Sequence, residues 1–351
     1  MSKNLIVFMP SIEGGGVEKN LFLICNFLVK KTSSLKVITI SKKYTNKFDK
    51  PIKIISLKSK QWDRFNRKIK YFLSLILLIK EIIKNKQSIV FSFQANIYCI
   101  LICKIFSVKV IARSNTAPTG WSRNFFKRLI FKSVLNLSDK VLVNSFEFKK
   151  DLKNQLNINS VCIYNPLNKE QIKIRSKIKL NNIFNNSKKL KILNIGRLTE
   201  QKDQLTFLKS LNFIKDKINF EARIIGRGKL KNKLKKYIIS NNLQNNIKIF
   251  NYKNNPYPLI KQADLFILSS QYEGLPNVIL ESLVLKKFVI SSNCRTGPKE
   301  ILLNGKGGLL FNVGDYKSLG LKIIYFNKNK KKAKAMLKKA HRALNRFDFK
   351  L

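Results

Sequence analysis

At 351 residues with 44% hydrophobic side chains, the chain is too long for one ordinary domain and too apolar for a disordered polymer, so it builds two cores of middling size. Lys and Arg number 70 against 19 Asp and Glu, a formal net charge of +51; such a field draws phosphate-rich partners but does not determine a fold. Cys25, Cys99, Cys103, Cys162 and Cys294 show no zinc-type or redox spacing, and His341 is the one histidine, which argues against a disulfide framework and against a Cys/His metal centre.

Short apolar runs at 5–9, 37–40, 88–93, 108–112 and 140–144 read as buried parallel strands, with amphipathic helical patterns between them. This alternation predicts a doubly wound α/β domain. The first run is too short for a signal peptide and leads into Gly14-Gly15-Gly16, which opens a helix over 17–30. Glycines there let backbone amides approach a phosphate at a helix start, although a plain tight turn has the same sequence. The stretches 71–83 and 97–112 are interrupted by Lys80, Lys104 and Lys109 and fall short of the ~18–20 apolar residues of a spanning helix. Reduced thiols and no spanning segment imply a cytoplasmic protein that meets a membrane, if at all, from its surface.

The run 161–164 followed by Asn165-Pro166 predicts a last strand and turn, so a first domain covers 1–167 and the polar stretch 168–189 reads as a linker. The alternation restarts at 190–195, 220–225, 247–250, 265–268 and 288–291, with helices such as 229–239 and 276–285, and closes with helices at 317–325 and 330–344. A second Rossmann-like domain over 190–351 is expected, with ligands at the carboxyl ends of strands in a cleft between two domains that face each other.

Three motifs in the second half carry chemistry. Gly196-Arg197-Leu198 ends a strand and Gln201-Lys202-Asp203 precedes a helix, a placement that suits a guanidinium and an ammonium to a diphosphate. Gly226-Arg227-Gly228 is a second close-approach turn, consistent with a nucleotide lying over it and common in α/β folds. In the block from Ser269 to Ser282, Glu273 sits on a loop, Pro276 sits at the first helical turn and Glu281 lies eight positions after Glu273. Two carboxylates there can accept paired hydroxyl hydrogen bonds, or can simply favour the helix dipole. No Asp-x-Asp pair offers a metal–diphosphate clamp, so neither a metal nor another cofactor is expected.

Together these residues resemble the retaining glycosyltransferases of family 4, which have the GT-B fold of two Rossmann-like domains. The Gly14–Gly16 loop, Asn165-Pro166, Gly196-Arg197 with Gln201-Lys202-Asp203, Glu273 with Glu281, and Thr296-Gly297-Pro298-Lys299-Glu300 occur in the family's order. The resemblance implies that Arg197 and Lys202 bind the donor diphosphate, Glu281 the ribose hydroxyls and Glu273 the transferred sugar. Gly274, Leu275, Pro276 and Asn277 then form the cradle for sugar and distal phosphate, with Gly226, Gly15 and Gly16 also donor-facing. It further implies front-face transfer with retention, from a UDP- or GDP-sugar to a lipid-linked or oligosaccharide acceptor of surface polysaccharide assembly, at an anionic membrane surface.

Two departures stand out. Family members commonly carry an acceptor-side histidine in the first domain, whereas here 111–116 contains Arg113 and Asn115 and no histidine. The residues 346–351 fall about where family members run a final helix back to the first domain. A candidate membrane helix spans 121–134, with Trp121, Phe125 and Leu129 at helical spacing beside Arg123, Lys127, Arg128 and Lys132; the same stripe also fits packing on a sheet. The alternative function is a non-enzymatic basic protein that holds nucleotide sugar, RNA or another polyanion, although no RNA-binding signature is present.

Overall fold

A computed structural model describes residues 4–115, 125–185 and 188–348. The chain divides into two compact units, Met1–Pro166 and Leu167–Lys350.

The first unit is a seven-stranded parallel sheet in the order β3-β2-β1-β4-β5-β6-β7. Its strands are β1 (Asn4–Phe8), β2 (Ser34–Ile38), β3 (Lys53–Ile55), β4 (Ile89–Ser92), β5 (Val110–Arg113), β6 (Lys140–Val143) and β7 (Val161–Cys162). Between them run α1 (Gly16–Leu28), α2 (Arg67–Lys84), α3 (Asn96–Ile105), α4 (Phe125–Asn136) and α5 (Phe146–Leu156). Strands covered by helices on both faces must be apolar throughout, and Ile6, Val7, Phe8, Val90, Val110 and Val143 are all buried. Winding reverses between β1 and β4, where Phe93 N–H donates to the Phe8 carbonyl and Ser11 N–H to Gln94 Oε1.

The second unit repeats the plan with six parallel strands, ordered β10-β9-β8-β11-β12-β13. These are β8 (Leu190–Ile195), β9 (Phe220–Ile225), β10 (Ile247–Phe250), β11 (Leu265–Leu268), β12 (Phe288–Ser292) and β13 (Leu309–Phe311). Its helices are α6 (Lys169–Ser176), α7 (Gln204–Ile214), α8 (Lys231–Ser240), α9 (Tyr257–Gln262), α10 (Asn277–Val284), α11 (Pro298–Ile301), α12 (Tyr316–Lys328) and α13 (Lys330–Arg342). The expected doubly wound α/β class is thus present twice. β3 and β13 were not anticipated: each is a three-residue edge strand, too short to show a period, and each pairs with its neighbour over three residues.

Of the stretch expected to be a polar linker, 168–189, the described residues 168–185 are ordered within the second unit. Asn168 caps α6 by accepting from Gln171 N–H, and α6 packs on α9 and α10. Beyond it, residues 183–185 are pinned to β9 by a buried ion pair. Glu221 and Arg223 face each other at 2.8 Å with both side chains 2% exposed. Glu221 also accepts from Asn185 N–H at 2.9 Å, and Arg223 donates to the Ile183 carbonyl while its guanidinium lies 5.1 Å from the Phe184 ring centre. Burial lowers the Arg223 pKa and the adjacent Glu221 carboxylate opposes that shift.

α4 begins at Phe125, and Trp121 and Arg123 lie outside the described residues. On α4 the buried side is Val134 and Leu135, which join the core with Val141 and Phe148, whereas Phe126, Leu129 and Ile130 are exposed. Helix packing on the sheet and an exposed apolar face therefore coexist on one helix. Among the described residues no helix is long and apolar enough to cross a membrane.

Removing one partner of a fully buried ion pair leaves an uncompensated charge, which costs about 3–5 kcal/mol. Arg223→Ala is expected to lose that much in guanidinium unfolding, and Glu221→Leu/Arg223→Met to recover most of it. A double variant no more stable than Arg223→Ala would show that the pair is not what pins this segment.

Candidate active site

In the second unit the winding reverses between β8 and β11, the position at which open α/β sheets leave a crevice beyond their strand ends. Two loops emerge there, Gly196–Asp203 after β8 and Ser269–Pro276 after β11. They are stitched together by Gln271 N–H donating to the Gln201 carbonyl at 2.8 Å, Gln201 Nε2 to the Tyr272 carbonyl at 3.1 Å, and Ser269 Oγ to the Lys202 carbonyl at 3.0 Å.

This stitching delivers Lys202 Nζ onto Glu273 Oε1 as an ion pair, with the Lys202 side chain 17% and that of Glu273 8% exposed. Ser270 Oγ donates to the same carboxylate oxygen at 2.7 Å. Arg197 is exposed and donates from Nη2 to Gln201 Oε1 at 3.2 Å, while its carbonyl accepts from Gln204 Nε2. Asp203 sits in the left-handed region at φ 45° and caps α7 through Thr206 N–H and Oγ1. The sequence therefore placed Arg197, Lys202 and Glu273 on loops that the tertiary structure joins.

Glycine is needed where these loops meet their neighbours. A Cβ on Gly226 would lie 1.9 Å from the Gly196 carbonyl oxygen, and one on Gly297, at φ 82°, would lie 1.9 Å from the Gly274 carbonyl oxygen. Thr296 Oγ1 donates to the Glu273 carbonyl at 2.7 Å, and Ser292 Oγ to the Ser270 carbonyl at 2.6 Å. The loop after β12 thus carries Glu273 and Gly274 from behind. Leu275 and Pro276 are buried, Pro276 precedes the first residue of α10, Asn277, and Glu281 is buried one turn into that helix. Cys294 is also buried nearby; desolvation, reinforced by the Glu273 charge, pushes its thiol pKa up to about 12.

The supports Ser270, Thr296 and Gln201 were not singled out for a role by sequence reasoning. Two serines at a strand end and a Thr-Gly pair before a helix were the available signals, but neither names its partner. Among the described residues no group of three or more His, Cys, Asp or Glu side chains could hold a metal ion.

The residues expected at the first unit's loops behave differently. At the glycine loop, where Gly15 and Gly16 were expected to face a phosphate, the Gly15 amide donates to the Glu18 carboxylate at 2.9 Å, as does the preceding Glu13 amide at 3.3 Å. Glu18 completes a capping box at the start of α1, where Gly16 is the first helical residue. An anion of the chain itself holds that cradle. Arg113 is 1% exposed, donating to Asn165 Oδ1 at 3.0 Å and to Asn115 Oδ1 at 3.3 Å, with Phe93 beneath its guanidinium. Burial brings its pKa down to about 10. Asn115 Nδ2 meanwhile donates to the Phe93 carbonyl. Rather than a cation reaching for a ligand, Arg113 is a buried tie between the ends of β4, β5 and β7.

Both units have the α/β architecture of the GT-B glycosyltransferases, and the comparisons agree. Residues 176–343 match the family described as glycosyl transferases group 1. An uncharacterised glycosyltransferase of Methanocaldococcus jannaschii is 34% identical over 58% of this chain and 53% of its own length, so the alignment spans about half of that relative. The Campylobacter jejuni enzyme named N-acetylgalactosamine-N,N'-diacetylbacillosaminyl-diphospho-undecaprenol 4-alpha-N-acetylgalactosaminyltransferase is 29% identical over 68% of this chain and 69% of its own. Anabaena HepE, solved in complex with UDP, superposes with a TM-score of 0.76 at 16% identity, covering 99% of this chain and 96% of that one.

The tight contact of Gly297 with Gly274 gives a direct test. Gly305 also has positive φ, at 88°, but meets nothing within 4 Å. Gly305→Ala should cost only the left-handed backbone term, about 1–2 kcal/mol. Gly297→Ala should cost a further ~1–3 kcal/mol from overpacking. Equal unfolding midpoints for the two variants would refute the close approach.

Proposed function

We propose that this chain transfers a sugar from a UDP- or GDP-sugar to a lipid-linked or growing glycan acceptor in surface-polysaccharide assembly, with retention of anomeric configuration. The observation that carries this reading is the Lys202–Glu273 pair with Ser270, held where β8 and β11 part and inside the region that matches group 1 glycosyltransferases. The Campylobacter relative's name, with its diphospho-undecaprenol acceptor, and the UDP complex of HepE support the choice of substrate classes.

The chemistry follows from charge. As the bond between sugar and diphosphate lengthens, negative charge grows on the distal phosphate, and a preorganised cation there stabilises the transition state more than the bound ground state. In this reading Lys202 and Arg197 supply that charge. Without donor, Glu273 balances the Lys202 ammonium and keeps it in place. An arriving diphosphate takes over that ammonium, which leaves the Glu273 carboxylate to accept from sugar hydroxyls. In the same reading the Leu275 and Asn277 amides at the start of α10 serve the sugar and distal phosphate, and Glu281 is the carboxylate for the ribose.

A cytoplasmic membrane face is the proposed workplace. α3 packs between α2 and α4, and this layer exposes Phe72 and Ile83, Tyr98 and Ile105, Phe126 and Ile130. The lysine-rich chain around it complements anionic lipid.

Lys202→Ala and Arg197→Ala should each lower donor turnover on the order of 10²–10³-fold with the fold intact, whereas Lys236→Ala, exposed on α8, should change it little. Mass spectrometry of UDP- and GDP-sugar turnover is the readout; Lys202→Ala behaving like Lys236→Ala would overturn the diphosphate assignment. For the membrane, Phe72→Ser/Ile105→Ser should sediment less with anionic vesicles than the unaltered chain while retaining turnover of soluble donor. Unchanged sedimentation would remove α2 and α3 from the contact.

A further inference from the structure

At the opposite edge of the second sheet, where β8, β11 and β12 begin, lies a cavity of about 450 Å³. Parallel strands of four to six residues separate it from the loops of Arg197 and Ser270, which is roughly 13–20 Å at ~3.3 Å per residue. Its floor is apolar: Phe288 and Phe326 stack with ring centres 4.9 Å apart, beside Ala333 and Leu337. Its rim is cationic. Lys188 and Lys189 come from the approach to β8, Lys286 and Lys287 from the approach to β12, and Lys330 and Lys334 from the start of α13.

Six of the 13 lining residues are lysine, against 70 basic residues in 351 for the whole chain, so this concentration exceeds the compositional bias. One carboxylate lines the cavity, Asp264, and its Oδ2 already accepts from Lys191 N–H at 2.9 Å. Among the described residues none of the six lysines lies within ion-pair distance of a carboxylate. Six ammonium groups thus share one carboxylate, Asp264, whose charge acts on Lys287 and Lys330. Two details sharpen that. Lys286 stands in the left-handed region at φ 56°, fixed by its N–H on the Leu283 carbonyl. Lys330 is the first residue of α13, the helix end that disfavours cations, and Asn329 gives it no side-chain cap.

We propose that this cavity is a second anion site, taking a phosphomonoester or diphosphate group, independent of the donor site. Convergent ammonium groups over an apolar floor match such a group, and the volume lies within the ~300–1,000 Å³ of ligand pockets. Burial lowers the pKa of both Lys287 and Lys330, so an arriving dianion also secures their charge. The phosphate comes either free in solution or on a lipid headgroup.

The test uses the full chain carrying Arg197→Ala/Lys202→Ala, which removes both proposed diphosphate cations elsewhere, and inorganic pyrophosphate as the calorimetric probe. Lys287→Gln/Lys330→Gln should weaken binding at least tenfold. The charge-matched Lys233→Gln/Lys236→Gln on exposed α8 positions should change it less than twofold, and thermal unfolding of both confirms that they fold. Lys334→Gln alone, at an exposed rim position, should weaken binding by a smaller factor. Vesicles of phosphatidic acid then identify the source. Reduced sedimentation of Lys287→Gln/Lys330→Gln relative to its control assigns a lipid headgroup, and unchanged sedimentation with pyrophosphate binding lost assigns a free anion. Equal pyrophosphate affinities for the two double variants would overturn the proposal.

Discussion

Where β8 and β11 diverge, the second sheet cannot be closed over by a crossover helix, because the chain leaves the two strands toward opposite sides. Backbone groups at that gap must find partners in loops. Gln201, Ser269 and Gln271 supply them, and the stitching that results brings Lys202 to Glu273. The candidate chemistry is thus a consequence of a topological constraint: the same hydrogen bonds that satisfy the gap position the cation.

Acidic residues are scarce, and the structure commits many of them to fixed duties. Glu18 caps α1, Asp203 caps α7, Asp315 caps α12, and Glu221 neutralises Arg223. Glu273 instead holds Lys202, the cation that a donor diphosphate would take over in the proposed function. A carboxylate that both holds an ammonium and can be displaced from it gives the ligand-free state a defined geometry, which limits the reorganisation needed when an anion arrives. Elsewhere Lys36, Lys84, Lys104 and Lys169 also pair with carboxylates, which leaves most of the lysine excess without one. At the rim beneath β12 six of those lysines gather around an apolar floor.

Two buried arginines show why residue type is a poor guide to role. Arg223 has a carboxylate partner and binds 183–185 to the sheet. Arg113 has amide partners and an aromatic face, and joins three strand ends in the other unit. Neither is distinguishable from a ligand-binding arginine in the sequence, since strand-end arginines are also where sites are built.

The sequence by itself determined the class of the fold. Apolar runs such as 220–225 and 265–268 are long enough to be buried on both faces, and the spacing between them admits only crossover helices. It also marked the loops that carry Arg197, Lys202 and Glu273 and the helix start that leads to Glu281, because glycine and proline punctuate them. It did not reveal β3 and β13, whose three residues show no period, or the order in 168–185, whose backbone amides donate to side chains tens of residues away. Only tertiary structure decided that Glu18 rather than an external anion holds the Gly15 amide, that Arg113 turns inward, and that six lysines from three distant segments share one cavity. Local pattern encodes which face of an element is apolar; it carries no information on which distant side chain completes a hydrogen bond, and that pairing is set by how strands are ordered in the sheet.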